Sequence, residues 1–343
     1  ATSMYFPERI VHMFPELIAE NFGSLLQGEI RPAVSCFVEF DKNREIVGHR
    51  ILLSNIRVQK KMSYEEVDAL LDPPVGDFAE LFQLSQSYSE RRLEMGGMKI
   101  PKRQVRVVLT NRGDLSNTTF RLEPYSESTP ARDLVSEMMI LANEMFATFA
   151  VENNIPFIFR SQPPQDSESV HAIQKIPPGP AYEAALRSTL KRSVTSTSPS
   201  LHATLGVERY GQVTSPVRRY LDLVNQRQIV SFLRHQTLPY THETLDFAIQ
   251  DTSEALQKAR VLDRETHRFW VLHYLAAKAS RRETIEATVT RDDGPQYQVE
   301  LEEVFIPTLL RSSAPLKRGD QLVLAIQSAD PRYDILRLAV KGK

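Results

Sequence analysis

The sequence predicts an α+β fold: strands and long helices are mixed over residues 1–282, and a small all-β unit follows over 283–343. Three observations predict it. Residues 131–152 carry Leu134, Met138, Leu141, Met145 and Phe149 along one stripe, the spacing of a half-buried helix. Residues 242–279 contain no proline or glycine, so nothing within them stops a helix. From Glu283 onward the pattern changes to short apolar runs separated by turn residues.

The elements follow in order. Residues 31–60 read as paired strands, with Asp41-Lys42-Asn43 as the turn and 49–58 as the return strand. Helical patterns occupy 63–71 and 77–95, and Ser63 with Glu66 makes a capping box. Residues 105–110 and 118–123 read as a hairpin around Asn111-Arg112-Gly113-Asp114. After the 131–152 helix, the proline- and serine-rich stretch 161–169 reads as a loop, 179–192 as a shorter helix and 193–200 as a polar loop. Two long helices follow at 217–234 and 242–279. Strands are expected at 285–290, 297–302, 304–307, 321–327 and 334–339, with turns at Asp292-Asp293-Gly294, Lys317-Arg318-Gly319-Asp320 and Ala329-Asp330-Pro331. Five strands in about sixty residues suggest an OB-type barrel.

Composition narrows the possible partners. The chain has 343 residues and a formal net charge of −1, so any phosphate-binding surface must be local rather than a global basic field. A single cysteine, Cys36, excludes an internal disulfide and a thiolate-rich zinc site, and makes a reducing cytoplasm the expected location. No uninterrupted apolar run approaches ~18 residues and no leader pattern is visible, so no membrane partner is expected. The first residue, Ala1, is compatible with a removed initiator methionine or an internal cut, and the cut is the expectation.

The segment richest in chemistry runs from Leu201 to Arg227. Thr214, Ser215 and Pro216 have the order of a helix start, a hydroxyl before a proline at the first helical position. Arg218 and Arg219 would then fall in the first turn, where a cation is disfavoured by roughly 0.3–1 kcal/mol. An anion docked there would remove that penalty, because N–H groups, a hydroxyl and two guanidinium groups would converge on it. The alternative is a simple Arg218–Asp222 pair on an exposed face.

The run Thr214, Ser215, Pro216, Val217, Arg218, Arg219, Tyr220, Leu221, Asp222 resembles the signature of the ribonuclease II/R (RNB) family. Similar landmarks occur at Tyr5/Pro7, Met13/Pro15, Ser24/Leu25, Arg31/Pro32, in 62–71, at Glu123-Pro124, in 134–143 and in 260–275, so the resemblance covers residues 1 to about 282. It implies an RNB-type catalytic domain, with a mixed sheet and long helices, followed by an S1-type OB domain over 283–343. It also implies a 3′-to-5′ exoribonuclease that hydrolyses single-stranded RNA to nucleoside 5′-monophosphates. Carried over residue by residue, Arg218 matches the catalytic arginine on the scissile phosphate. Tyr5 matches the aromatic against the 3′-terminal nucleotide, and Glu137 a carboxylate at the sugar edge. Ser215 and Arg219 lie beside Arg218; Tyr210 and His202 fall within the matched stretch. Asp263 aligns where some relatives have an RNA-contacting glutamate, and Glu265 is its near substitute.

There are departures. Gln226 stands where the family usually has histidine, Val213 replaces an aromatic, and 98–101 lacks the base-stacking phenylalanine of some relatives. The family's aspartate cluster, which holds magnesium, would precede residue 1. Mg2+ is therefore expected of the intact enzyme, with no metal ligands in this chain, and the missing segment could be a separate chain. By itself the chain is expected to be inactive. A non-catalytic RNA-binding protein of this family and an assembly subunit stay open as alternatives.

Overall fold

A computed structural model of the chain describes residues 1–100, 103–110, 119–126, 128–292 and 296–341. A short antiparallel pair, β1 (Met4–Tyr5) and β2 (Ile10–Val11), and a π-helical turn at Leu17–Phe22 precede the long hairpin of β3 (Ile30–Phe40) and β4 (Ile46–Arg57). Helix α1 (Tyr64–Leu70) starts at the expected capping box: Glu66 N–H donates to Ser63 Oγ at 3.2 Å, and Ser63 N–H to the Glu66 carboxylate at 2.7 Å. Helix α2 (Gly76–Glu94) leads to the antiparallel pair β5 (Arg103–Thr110) and β6 (Thr119–Ser126). The turn expected at 111–114 lies outside the described residues, as do Asp293 and Gly294 of the turn at 292–294. Helix α3 (Pro130–Glu152) has Thr129 as its N-cap and proline at its start. Then come β7 (Phe159–Ser161), α4 (Ser167–Ile173), α5 (Pro180–Thr189), β8 (Val194–Ser196), α6 (Tyr220–His235) and α7 (His242–Ser280). The chain closes with β9 (Thr284–Arg291), β10 (Tyr297–Leu301), β11 (Ile306–Leu310), β12 (Gln321–Asp330) and β13 (Ile335–Val340).

The α+β class holds, with three corrections. Up to residue 282 there is no mixed sheet among the described residues; the strands form four separate antiparallel pairs, and the only parallel contacts there are isolated bridges. Helices α3, α6 and α7, not further strands, supply most of the apolar surface around them. The stretch 161–169 is not all loop, because Asp166 accepts from Ser169 N–H at 3.1 Å and caps α4. The stretch 193–200 likewise contains β8, paired with β7. The five expected C-terminal strands form one antiparallel sheet of order β11-β10-β9-β12-β13, a half-barrel consistent with the expected OB-like unit. One face of that sheet (Val289, Val299, Leu301, Leu324) packs on Val271, Leu272 and Leu275 of α7 and on Val105 of β5.

Helix α3 organises the rest. Phe146, Ala147 and Ala150 pack with Phe157, Phe159, Val213 and Ile229, while Ile140, Leu141 and Met145 pack with Tyr88, Val207 and Tyr210. By length and composition α3 could cross a membrane, the only such helix among the described residues, yet half of its apolar window is buried inside the protein. Cys36 is a free, half-buried thiol on β3, and burial pushes its pKa up to about 11.

Candidate nucleic-acid interface

The Thr214–Asp222 run does not form the helix start that its local pattern predicts. Helix α6 begins at Tyr220, and Arg219 is extended (φ −135°, ψ 120°). The cause lies far away in sequence. Residues 1–3 run antiparallel to 218–220: Ser3 N–H donates to the Arg218 carbonyl at 2.9 Å, and Tyr220 N–H donates to that of Ala1 at 3.0 Å. This ladder holds Arg219 out of the helix, so both arginines precede the first turn. Ahead of them the chain folds into a tight turn, with Arg218 and Arg219 N–H groups both donating to the Ser215 carbonyl at 3.1 and 2.9 Å.

Asp222 separates the two arginines electrostatically. It is 1% exposed and accepts from Ser215 N–H at 3.0 Å and from Arg219 Nη2 at 2.7 Å. Burial pushes its carboxyl pKa up, against the pull of Arg219 and the Ser215 N–H. The Arg218–Asp222 pair that sequence spacing allowed is not formed. Among the described residues the Arg218 guanidinium makes no hydrogen bond or ion pair.

Arg218 lines a cavity of about 410 Å³ together with Tyr5, Arg160, Arg219, Arg260 and Asp263. Asn225 of α6 fixes the wall that carries Arg160: its amide takes Ile158 N–H and gives to Ile158 C=O, each at 2.9 Å. Arg160 is steadied by Ser193 Oγ at 2.9 Å, and burial, then the charge of Arg260, push its pKa down. Four guanidinium groups thus line one cavity with two carboxylates, one already committed to Arg219. Such a concentration of positive charge favours a phosphate ligand. The donor set does not fit a divalent cation. Among the described residues no group of three or more His, Cys, Asp or Glu is placed to hold a metal ion.

The structure brings Arg218, Arg219, Tyr5 and Asp263 together around this cavity. Tyr5, on β1, is half exposed. Arg160 and Arg260 were missed by sequence reasoning. Arg260 lies in a stretch similar to the family, but nothing local marks Arg160 within its short apolar strand.

The remaining expected site residues lie elsewhere. Ser215 is buried and serves the turn through its backbone. Glu137 sits in a buried ion pair: it is 6% exposed, and Arg92 Nη2 and Nε reach its carboxylate at 2.6 and 3.0 Å while Ser89 Oγ donates at 2.9 Å. Tyr210 is buried with its hydroxyl accepting from Asn143 Nδ2 at 3.1 Å. Glu265 does not line the cavity. Gln226, in the family's histidine place, donates to the Val213 carbonyl at 2.8 Å, and Val213 is core. Met98 packs against the α4–α5 cluster.

His202 is 8% exposed, edge-on to Tyr210, and its Nδ1 has no partner. Burial, and then the Arg160 charge, hold its pKa down to about 4. A histidine kept neutral in the fold but protonated when unfolded stabilises the protein above pH ~6.5, and that stability is lost as pH falls through 4. Urea unfolding should therefore show stability falling by up to about 3 kcal/mol between pH 6.5 and 4. The slope should flatten in His202→Asn; an equally steep fall in that variant would remove histidine as the cause.

The RNB domain model matches residues 1–235, and the chain belongs to that family. An uncharacterized ribonuclease of Synechocystis sp. is 32% identical over 98% of this chain and 50% of its own length. The chloroplastic/mitochondrial ribonuclease II of Arabidopsis thaliana is 29% identical over 98% of this chain and 42% of its own. The chain therefore spans about half the length of these curated relatives, or less. In fold it is similar to an active-site mutant of the Dss1 exoribonuclease from Candida glabrata (TM-score 0.86, 21% identity, 98% of this chain and 46% of that one). It is also similar to Mycoplasma genitalium RNase R in complex with ribose-methylated single-stranded RNA (TM-score 0.80, 18% identity, 99% and 62%).

Proposed function

We propose that this chain is the RNA-holding part of a 3′-to-5′ exoribonuclease that hydrolyses single-stranded RNA to nucleoside 5′-monophosphates. The observation that carries the reading is the unpaired Arg218 guanidinium in a cavity shared with Tyr5, Arg160 and Arg260. A phosphodiester seated there meets fixed positive charge without any rearrangement of the pairs already formed. Tyr5 offers a half-exposed ring against the terminal nucleotide. Residues 283–343 serve as an S1-type OB module, and the family relation supports a divalent metal in hydrolysis, Mg2+ in our reading. Its ligands lie outside the arginine-lined cavity. The lone half-buried cysteine suits a reducing compartment.

The test uses end-labelled single-stranded RNA. The 343-residue chain should bind it with a strong salt dependence and should not degrade it with Mg2+. A longer polypeptide that carries these residues together with a metal site should release nucleoside monophosphates from the 3′ end. Degradation from the 5′ end, or the absence of RNA binding, would overturn the reading. A non-catalytic RNA-binding role is the second reading; in fold the chain is also similar to yeast Ssd1, a pseudonuclease (TM-score 0.65, 17% identity). That role predicts binding without hydrolysis at any length.

A further inference from the structure

The arginine-lined cavity has a neighbour. Tyr5 and Asp263 also line a second, larger cavity of about 1460 Å³, so these two residues form a wall common to both. In the wall of the larger cavity Arg132 lies against two rings. Its guanidinium carbon is 4.1 Å from the ring centroid of Tyr64 and 4.6 Å from that of Tyr125, and Nη1 donates to Tyr125 Oη at 2.6 Å. Both rings also line the cavity.

Three features make this more than packing. Arg132 has no carboxylate partner among the described residues, whereas Arg106 across the same cavity is paired with Glu123 at 2.8 Å. It sits in the first turn of α3, where the helix dipole opposes a cation. Its guanidinium is nevertheless fixed by contacts with two rings and by the Tyr125 hydroxyl, and its remaining N–H donors are uncommitted among the described residues. A planar, anchored guanidinium without a carboxylate partner, in a cavity that shares a wall with a phosphate-ready one, matches the needs of a second phosphodiester.

We propose that Arg132, clamped by Tyr64 and Tyr125, is a second phosphate-binding site that holds the body of a single-stranded polynucleotide while its 3′ end occupies the Arg218 cavity. This inference rests on the function proposed above. Arg132 is a binding residue here, remote from the reacting bond, so it acts only on strands long enough to pass Tyr5.

The test measures binding of the 343-residue chain to a fluorescent trinucleotide and to a fluorescent dodecanucleotide of uridine, across a salt series. Arg132→Gln should weaken dodecamer binding about tenfold and lower the salt slope by about one, leaving the trinucleotide within about twofold. Arg132→Lys should keep the salt slope, because the charge remains while the planar fork is lost. Thermal melts of each variant against the unsubstituted chain control for folding. Equal weakening on both lengths, or an unchanged dodecamer affinity in a folded Arg132→Gln protein, would overturn the second site while leaving the Arg218 reading intact. Failure of the unsubstituted chain to bind either oligonucleotide would overturn both.

Discussion

Replacing Arg218 by alanine is expected to lower turnover on single-stranded RNA by about 10²–10³-fold, the usual effect of deleting one fixed donor from a developing charge. The measurement belongs in a polypeptide long enough to carry a metal site along with these residues. RNA affinity should fall by less than about tenfold, because Arg160, Arg219 and Arg260 still line the cavity and one phosphate contact is a small part of a multi-contact interface. Arg219→Ala should behave differently. It leaves the buried Asp222 carboxylate without its cation, so its main effect should be on stability. Equal turnover for Arg218→Ala and the unsubstituted protein would remove Arg218 from the reaction.

The second large effect concerns Glu137. Glu137→Ala should destabilise the protein by about 3–5 kcal/mol, because Arg92, itself 6% exposed, would keep a buried charge without its partner. The Arg92–Glu137 pair ties α2 to α3, and Arg92 also donates to the Leu205 carbonyl, so the turn that leads toward His202 and Tyr210 should loosen with it. Replacing both partners by apolar residues of similar volume (Arg92→Met with Glu137→Leu) should recover much of the loss. The midpoint of urea unfolding reads both effects. An unmoved midpoint in Glu137→Ala would mean that the pair contributes nothing; a selective loss of RNA affinity with unchanged stability would restore the sugar-edge role to Glu137.

Much of this fold was legible in the sequence because its signals are local. The Ser63–Glu66 capping box, the stripe along α3 and the uninterrupted α7 depend on residues within a few positions of each other, and each reappears close to its expected bounds. The five C-terminal strands were legible for the same reason. Their seat on α7 was not, because no strand pattern encodes which helix covers the sheet. The candidate site was legible only in part. The run Thr214–Asp222 marked the family and singled out Arg218, but its helix-start pattern misplaced both arginines.

The sequence by itself determined the family, the helix and strand content and the identity of the principal arginine. Tertiary structure decided which charges are spent and which are available. Residues 1–3, distant in sequence, pair with 218–220 and hold Arg219 extended, Asp222 is buried against Arg219 and leaves Arg218 unpaired, and Glu137 is paired with Arg92. Arg160 and Arg260, from distant strands and helices, enter the same cavity only through that packing. The physical reason is one of range. Caps and periodicity act over a single turn, whereas the state of a charge depends on desolvation and on partners that any part of the chain can supply.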